Sequence, residues 1–202
     1  MRDLSSLQIQ IRSLDGYVDS RIAMLSSRPQ QRMSWVGLAV SYDLVGNYDL
    51  ALKVLDAYLA TSPPELTFDF DVSEILAYKN QLLLDAGRFQ EALDDLDKVQ
   101  HSIWDHVFLL EQRGDVLLKL QRPAEARAQY EKLLALNPEN AATYERLEKC
   151  SLHATPAEMY AALHAKNPRS NFPLRKLLDI TTGALPSFFL FCSRTRSRRR
   201  RV

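Results

Sequence analysis

The chain has little cysteine, little glycine and no long apolar run. Its two cysteines, Cys150 and Cys192, lie far apart without metal-ligand spacing. Neither a disulfide framework nor a zinc site is expected, and a reducing compartment fits. The six glycines are scattered between residues 16 and 183. No strand-loop-helix context brings them together as the glycine-rich loop that cradles a pyrophosphate on backbone N–H groups. The longest apolar stretch near the C-terminal end, Ala184 to Cys192, is nine residues long and contains Pro186 and Ser187. A membrane-spanning helix needs about 20. The opening Met1-Arg2-Asp3-Leu4-Ser5 lacks the apolar segment of a signal peptide. A soluble cytoplasmic protein with no cofactor-binding loop is the expectation.

Excess charge is also lacking, but only on average. Lys and Arg number 26 against 25 Asp and Glu, a net charge of +1. Residues 184–202 hold six Arg and no acid, so residues 1–183 carry 1 − 6 = −5. Hydrophobic residues at 46% and charged residues at 25% are near globular averages, so most of the 202 residues should fold.

What the chain does contain is a word repeated 34 residues apart. Residues 73–106 and 107–140 align end to end as helix-turn-helix units. Gly87-Arg88-Phe89-Gln90-Glu91-Ala92 in the first answers to Gln121-Arg122-Pro123-Ala124-Glu125-Ala126 in the second. An upstream unit, 32–65, carries Trp35, Leu38, Tyr42, Gly46, Tyr48, Ala51, Leu55 and Pro63. This period, with a large residue early, a small one in the middle and Pro at the end, is the tetratricopeptide (TPR) pattern. The fold class is therefore all-α: a TPR-like α-solenoid of antiparallel helix pairs with a disordered basic C-terminal tail. One pair cannot bury its own apolar face, so units stack and present a binding surface. Repeat-core positions are Trp35, Leu38, Tyr42, Ala51, Leu55, Ala92, Leu96, Gly114, Leu117, Ala126, Tyr130 and Pro138. Ala51, Ala92 and Ala126 mark where two helices approach closely.

Punctuation residues set the boundaries. In 32–65 helix A runs from about Trp35 to Val45, Gly46 frees the turn, Asn47 caps helix B, and Pro63-Pro64 end the unit. Pro29 implies a partial pair over 4–31 that turns at Asp15-Gly16. Residues 66–72 read as an insertion, with Ser73 as N-cap of the next helix. Pro123 opens a helix at a favoured first position. A shortened pair follows over 141–169, from Ala141 to about Leu152 and from Pro156 to about Lys166. Beyond Gly183 the helical period stops, and 184–202 reads as disordered.

No catalytic constellation emerges. His101, His106, His153 and His164 make no paired metal spacing and read as ordinary helix residues. Asp94, Asp95 and Asp97 read as a solvated face, and Trp35, Tyr42 and Tyr58 as packing. The tail from Arg194 to Arg201 could bind nucleic acid or direct nuclear import through its cations. The abrupt loss of pattern favours an alternative ending instead.

More specific wording lies on top of the repeat. Leu7-Gln8-Ile9-Gln10-Ile11-Arg12, Asp15-Gly16-Tyr17, Arg28-Pro29-Gln30-Gln31-Arg32 and Ser34-Trp35-Val36-Gly37 occur in order. Asn80-Gln81, Ala86-Gly87, Asn137-Pro138-Glu139-Asn140, Leu147-Glu148-Lys149 and Pro168-Arg169 follow. Across residues 4–177 this wording resembles the large auxiliary subunits of the NatA N-terminal acetyltransferase. The resemblance implies a scaffold that wraps a small catalytic acetyltransferase subunit and docks it near the ribosomal exit tunnel. Acetyl-CoA would bind the partner, leaving this chain without cofactor or catalytic residues. Family proteins are several times longer, which implies a truncated form or fragment. The rival reading is a free-standing TPR adaptor that clamps a peptide carboxylate. Its Lys and Asn slots carry Val36 and Val40 here, and Asn80 alone makes no clamp.

Overall fold

Eleven α-helices and no strand make up the described residues 2–61, 70–150 and 155–183 of the computed structural model. They divide into two compact units between Gln121 and Arg122. The first holds α1 (Arg2–Gln10), α2 (Leu14–Ser27), α3 (Arg32–Val45), α4 (Tyr48–Thr61), α5 (Phe70–Asp85), α6 (Phe89–Val99) and α7 (His106–Lys119). The second holds α8 (Pro123–Leu136), α9 (Ala141–Lys149), α10 (Pro156–Lys166) and α11 (Phe172–Gly183). The arginine-rich tail 184–202, Pro63-Pro64, residues 66–69 of the expected insertion, Leu152 and Cys192 all lie outside the described residues.

In the first unit each helix packs on its neighbour in sequence, as helical repeats require. The turns follow backbone chemistry. Gly46 and Gly87 adopt left-handed φ values of 80° and 74°, where a Cβ would be strained. Gly46 N–H donates to the Asp43 carbonyl at 2.8 Å, and Asn47 Oδ1 accepts from Leu50 N–H at 3.2 Å, so end and start of adjacent helices are capped within two residues. At the boundary with the second unit Gln121 takes the left-handed slot, with φ 59°.

Three expectations are corrected. The first turn is not at Asp15-Gly16: Gly16 lies inside α2, and Arg12, with φ 56°, makes the turn. Gly16 answers a different need, because a Cβ there would stand 3.0 Å from Gln8 Nε2 and 3.1 Å from Ser13 Oγ. It lets α1 lie close to α2. Second, Ser73 is not an N-cap. The helix begins three residues earlier, at Phe70, so residues 70–72 belong to α5 and not to an insertion. Asp71 in that first turn suits the positive end of the helix and pairs with Arg32. Ser73 is buried, and its Oγ accepts from Trp104 N–H at 3.0 Å. Third, helix A of the first full unit starts at Arg32, not Trp35, and α9 ends at Lys149.

The second unit starts with Pro123 as the first residue of α8. Asn140 caps α9 by accepting from Ala142 N–H at 3.1 Å, and Thr155 caps α10 by accepting from Glu158 N–H at 3.3 Å. The helix α11 covers a stretch that the repeat reading left without an element. The Glu139 carboxylate holds its start, accepting from Asn171 N–H at 2.6 Å and Phe172 N–H at 3.1 Å.

Ala92 has no exposed surface, and its carbonyl accepts from the buried Asn80 side chain at 2.8 Å. Ala92→Leu forces three extra heavy atoms into the α5–α6 contact and is expected to cost about 1–3 kcal/mol. Unfolding in urea checks this; an unchanged midpoint would mean the two helices meet elsewhere.

Candidate interaction surfaces

Most repeat-core residues sit in the interior. Leu38, Ala51, Leu55, Ala92, Leu96, Gly114, Leu117, Ala126 and Tyr130 are all buried. Trp35, Tyr42 and Pro138 are only half-buried. The Trp35 indole N–H donates to the Pro29 carbonyl at 2.8 Å, and its ring lies 6.2 Å from that of Tyr58. The pair therefore closes the side of the α3–α4 contact and leaves an edge at the surface. Asn80 is fully buried, so it is not available to clamp a peptide.

The first surface is a charged groove over α4, α5 and α6, with a cavity of about 560 Å³. Lys79 bridges Asp56 at 2.9 Å and Asp95 at 3.2 Å. Arg88 reaches Asp49 at 3.3 Å and holds Glu91 by two contacts. Burial alone would lower the Lys79 pKa, but hydrogen bonds and charge from Asp56 and Asp95 win and raise it. The second oxygen of Asp95 is buried with no hydrogen-bond partner. Of the three aspartates read as a solvated face only Asp95 departs, turning to Lys79 on α5; Asp97 is exposed and pairs with Arg113 on α7. Asp94 remains exposed and accepts from Gln90 at 2.8 Å.

In the second unit an aromatic cluster takes the central place. The Tyr144 ring lies 4.8 Å from Phe172 and 5.9 Å from Tyr160. The Pro138 carbonyl accepts both Tyr144 O–H at 2.9 Å and Ser170 O–H at 2.8 Å. Tyr160 donates to Glu148 Oε1 at 2.5 Å; burial first, and that carboxylate second, push its hydroxyl above the ordinary phenol range.

Glu131 on α8 bonds Arg127 at 2.8 Å and Lys166 of α10 at 3.0 Å. Burial alone would raise its pKa, but the two cations prevail and lower it. A depressed folded-state value means stabilisation is present above the unfolded pKa and is lost as pH falls through the folded one. The stability difference between wild type and Glu131→Gln should therefore shrink toward zero as unfolding is measured from pH 7 down to 3. Solvent screening keeps the difference small, within about 1 kcal/mol.

Two helices also present apolar residues to solvent. On α1 and the turn after it Leu4, Leu7 and Ile11 are exposed; on α11 Leu174, Leu178 and Ile180 are. Leu177, between them, is half-buried. Among the described residues no group of three His, Cys, Asp or Glu could hold a metal, and no helix is long and apolar enough to cross a membrane.

Helix pairs with buried alanines at their crossings, joined by tight left-handed turns, define a TPR-like helical-repeat protein. A tetratricopeptide repeat protein from Parabacteroides merdae has the same fold, with a TM-score of 0.61 at 17% identity over 90% of this chain and 72% of its own. Residues 70–188 match the family model for the N-terminal acetyltransferase A auxiliary subunit. The human protein N-alpha-acetyltransferase 16, NatA auxiliary subunit, is 37% identical over 187 residues, 91% of this chain and 22% of that protein. A solved structure of Naa15/Naa10 bound to HypK-THB superposes with a TM-score of 0.78 at 37% identity, covering 88% of this chain and 28% of that one. The chain belongs to the NatA auxiliary-subunit family. It spans about a fifth of the length of the curated relatives it matches, at 22%.

Proposed function

We propose that the chain acts as part of a non-catalytic scaffold for a NatA-type N-terminal acetyltransferase. In this reading its helix surfaces bind the catalytic subunit and contribute to docking on the ribosome, in the cytoplasm. Acetyl-CoA and the acetyl transfer itself belong to the partner. The observation that carries the proposal is the 37% identity to the human NatA auxiliary subunit over 91% of the chain. Its backbone likeness to the Naa15/Naa10 structure gives further support. The exposed Arg88–Asp49 pair at the edge of the charged groove suits this role, because a solvated ion pair can exchange for a pair with a partner at little net cost.

Co-expression of the full chain with a tagged Naa10-class catalytic subunit tests the reading. Co-elution of the two on size exclusion is the expected result. Elution of the chain alone, under conditions where a full-length auxiliary subunit is captured, would overturn it.

A further inference from the structure

One arginine of the first unit is held firmly and, among the described residues, left without an acid. The Arg21 guanidinium carbon sits 4.9 Å from the centroid of the Tyr17 ring, one helical turn before it on α2. Tyr17 is buried, so the ring is a fixed platform for the cation. From the other side α3 comes so close that a Cβ on Gly37 would stand 2.7 Å from Arg21 Nη1. Gly37 leaves room for the guanidinium there, and a Cβ would displace it. Its hydrogen-bonding capacity is nevertheless unfilled. Nε is buried with no partner, and Nη1 reaches only the Met24 thioether at 3.9 Å, a weak acceptor. By contrast Arg32, Arg88, Arg113, Arg122 and Arg127 each have a carboxylate.

Arg21 lines a cleft of about 650 Å³ together with Arg28, Ser27, Gln31, Ser34 and the thioethers of Met24 and Met33. Among the described residues Asp3 is the one acid on this lining, so their charge is 2 − 1 = +1. We propose that this cleft binds an acidic side chain, the carboxylate of a glutamate or aspartate on a peptide segment of a protein partner. A pinned guanidinium loses little freedom on forming charge-assisted hydrogen bonds to a carboxylate. The single net positive charge matches a singly charged oxyanion, and Asp3 opposes a doubly charged phosphate more strongly. The two methionines supply adaptable apolar surface for the stem of the acid and the flanking peptide. This site is independent of which catalytic subunit the chain binds.

The test follows the Arg21 Nε–Hε resonance in the ¹⁵N-labelled full chain, identified by its loss in Arg21→Lys. Three short blocked peptides are titrated: one with two glutamates, one with glutamines in their place, one with phosphoserines. The glutamate peptide should shift the resonance saturably and the glutamine peptide should not. Arg28→Gln, a change at an exposed residue that leaves the fold intact, should weaken the glutamate peptide by about tenfold, the scale of one charge-assisted contact. Arg21→Lys, checked for folding by circular dichroism, should do so at least as much when read by backbone amides of α2 and α3. The arginines of residues 194–201 are common to wild type and variants, so their general attraction for acids cancels in the comparison. Equal shifts with the glutamine peptide, or unchanged affinity in both variants, would overturn the site. Tighter binding of the phosphoserine peptide would overturn its assignment to carboxylates.

Discussion

Replacing Tyr144 by alanine is expected to destabilise the second unit by about 3–5 kcal/mol, the range for deleting a fully buried aromatic ring. The side chain has no exposed surface, stacks on Phe172 and Tyr160, and donates its hydroxyl proton to the Pro138 carbonyl at 2.9 Å. Tyr144→Phe separates the two contributions. It keeps the ring, and the carbonyl retains Ser170 O–H at 2.8 Å, so the loss should be only about 0.5–1.5 kcal/mol. Urea unfolding followed by near-ultraviolet circular dichroism reads both variants. Equal losses in the two would mean that the hydrogen bond, and not the stacked ring, holds the cluster.

Leu55→Ala comes next, at about 2–5 kcal/mol, through lost transfer free energy and the cavity left behind. Leu55 is fully buried on α4, which packs against both α3 and α5. Neighbours on two sides limit how far the site can collapse, which places the loss in the upper part of that range. Leu44→Ala supplies the control. Leu44 is 48% exposed, and its truncation should change stability by no more than about 0.5 kcal/mol. Similar losses for the two leucines would show that α4 does not face the interior as described.

The helix pairs were legible because their signals are local. Gly46 and Asn47 close one helix and cap the next within two residues, and Pro123 can only begin a helix. The missed features depend on contacts distant in sequence. Gly16 looks like a turn residue, yet its need arises from Gln8 on the neighbouring helix. Ser73 has the chemistry of a cap, but its hydroxyl is taken by Trp104 N–H, 31 residues away. The start of α11 is held by Glu139, and nothing in Asn171 or Phe172 announces that carboxylate. The charged groove was hidden for the same reason. A run of aspartates on one helix reads as solvated until a second helix brings Lys79 beside it.

The turns bear on the order in which the first unit assembles. Gly46 and Gly87 enter the left-handed region without steric penalty, whereas Arg12 adopts φ 56° against a cost of roughly 1–2 kcal/mol. The α3–α4 and α5–α6 pairs can therefore close from local preference alone, while α1–α2 closes only once packing on α3 offsets the strained link. Mutational Φ-value analysis should find high values in α3 through α6 and low values in α1. Arg12→Gly should slow unfolding and leave the folding rate nearly unchanged, because the penalty it removes falls after the transition state.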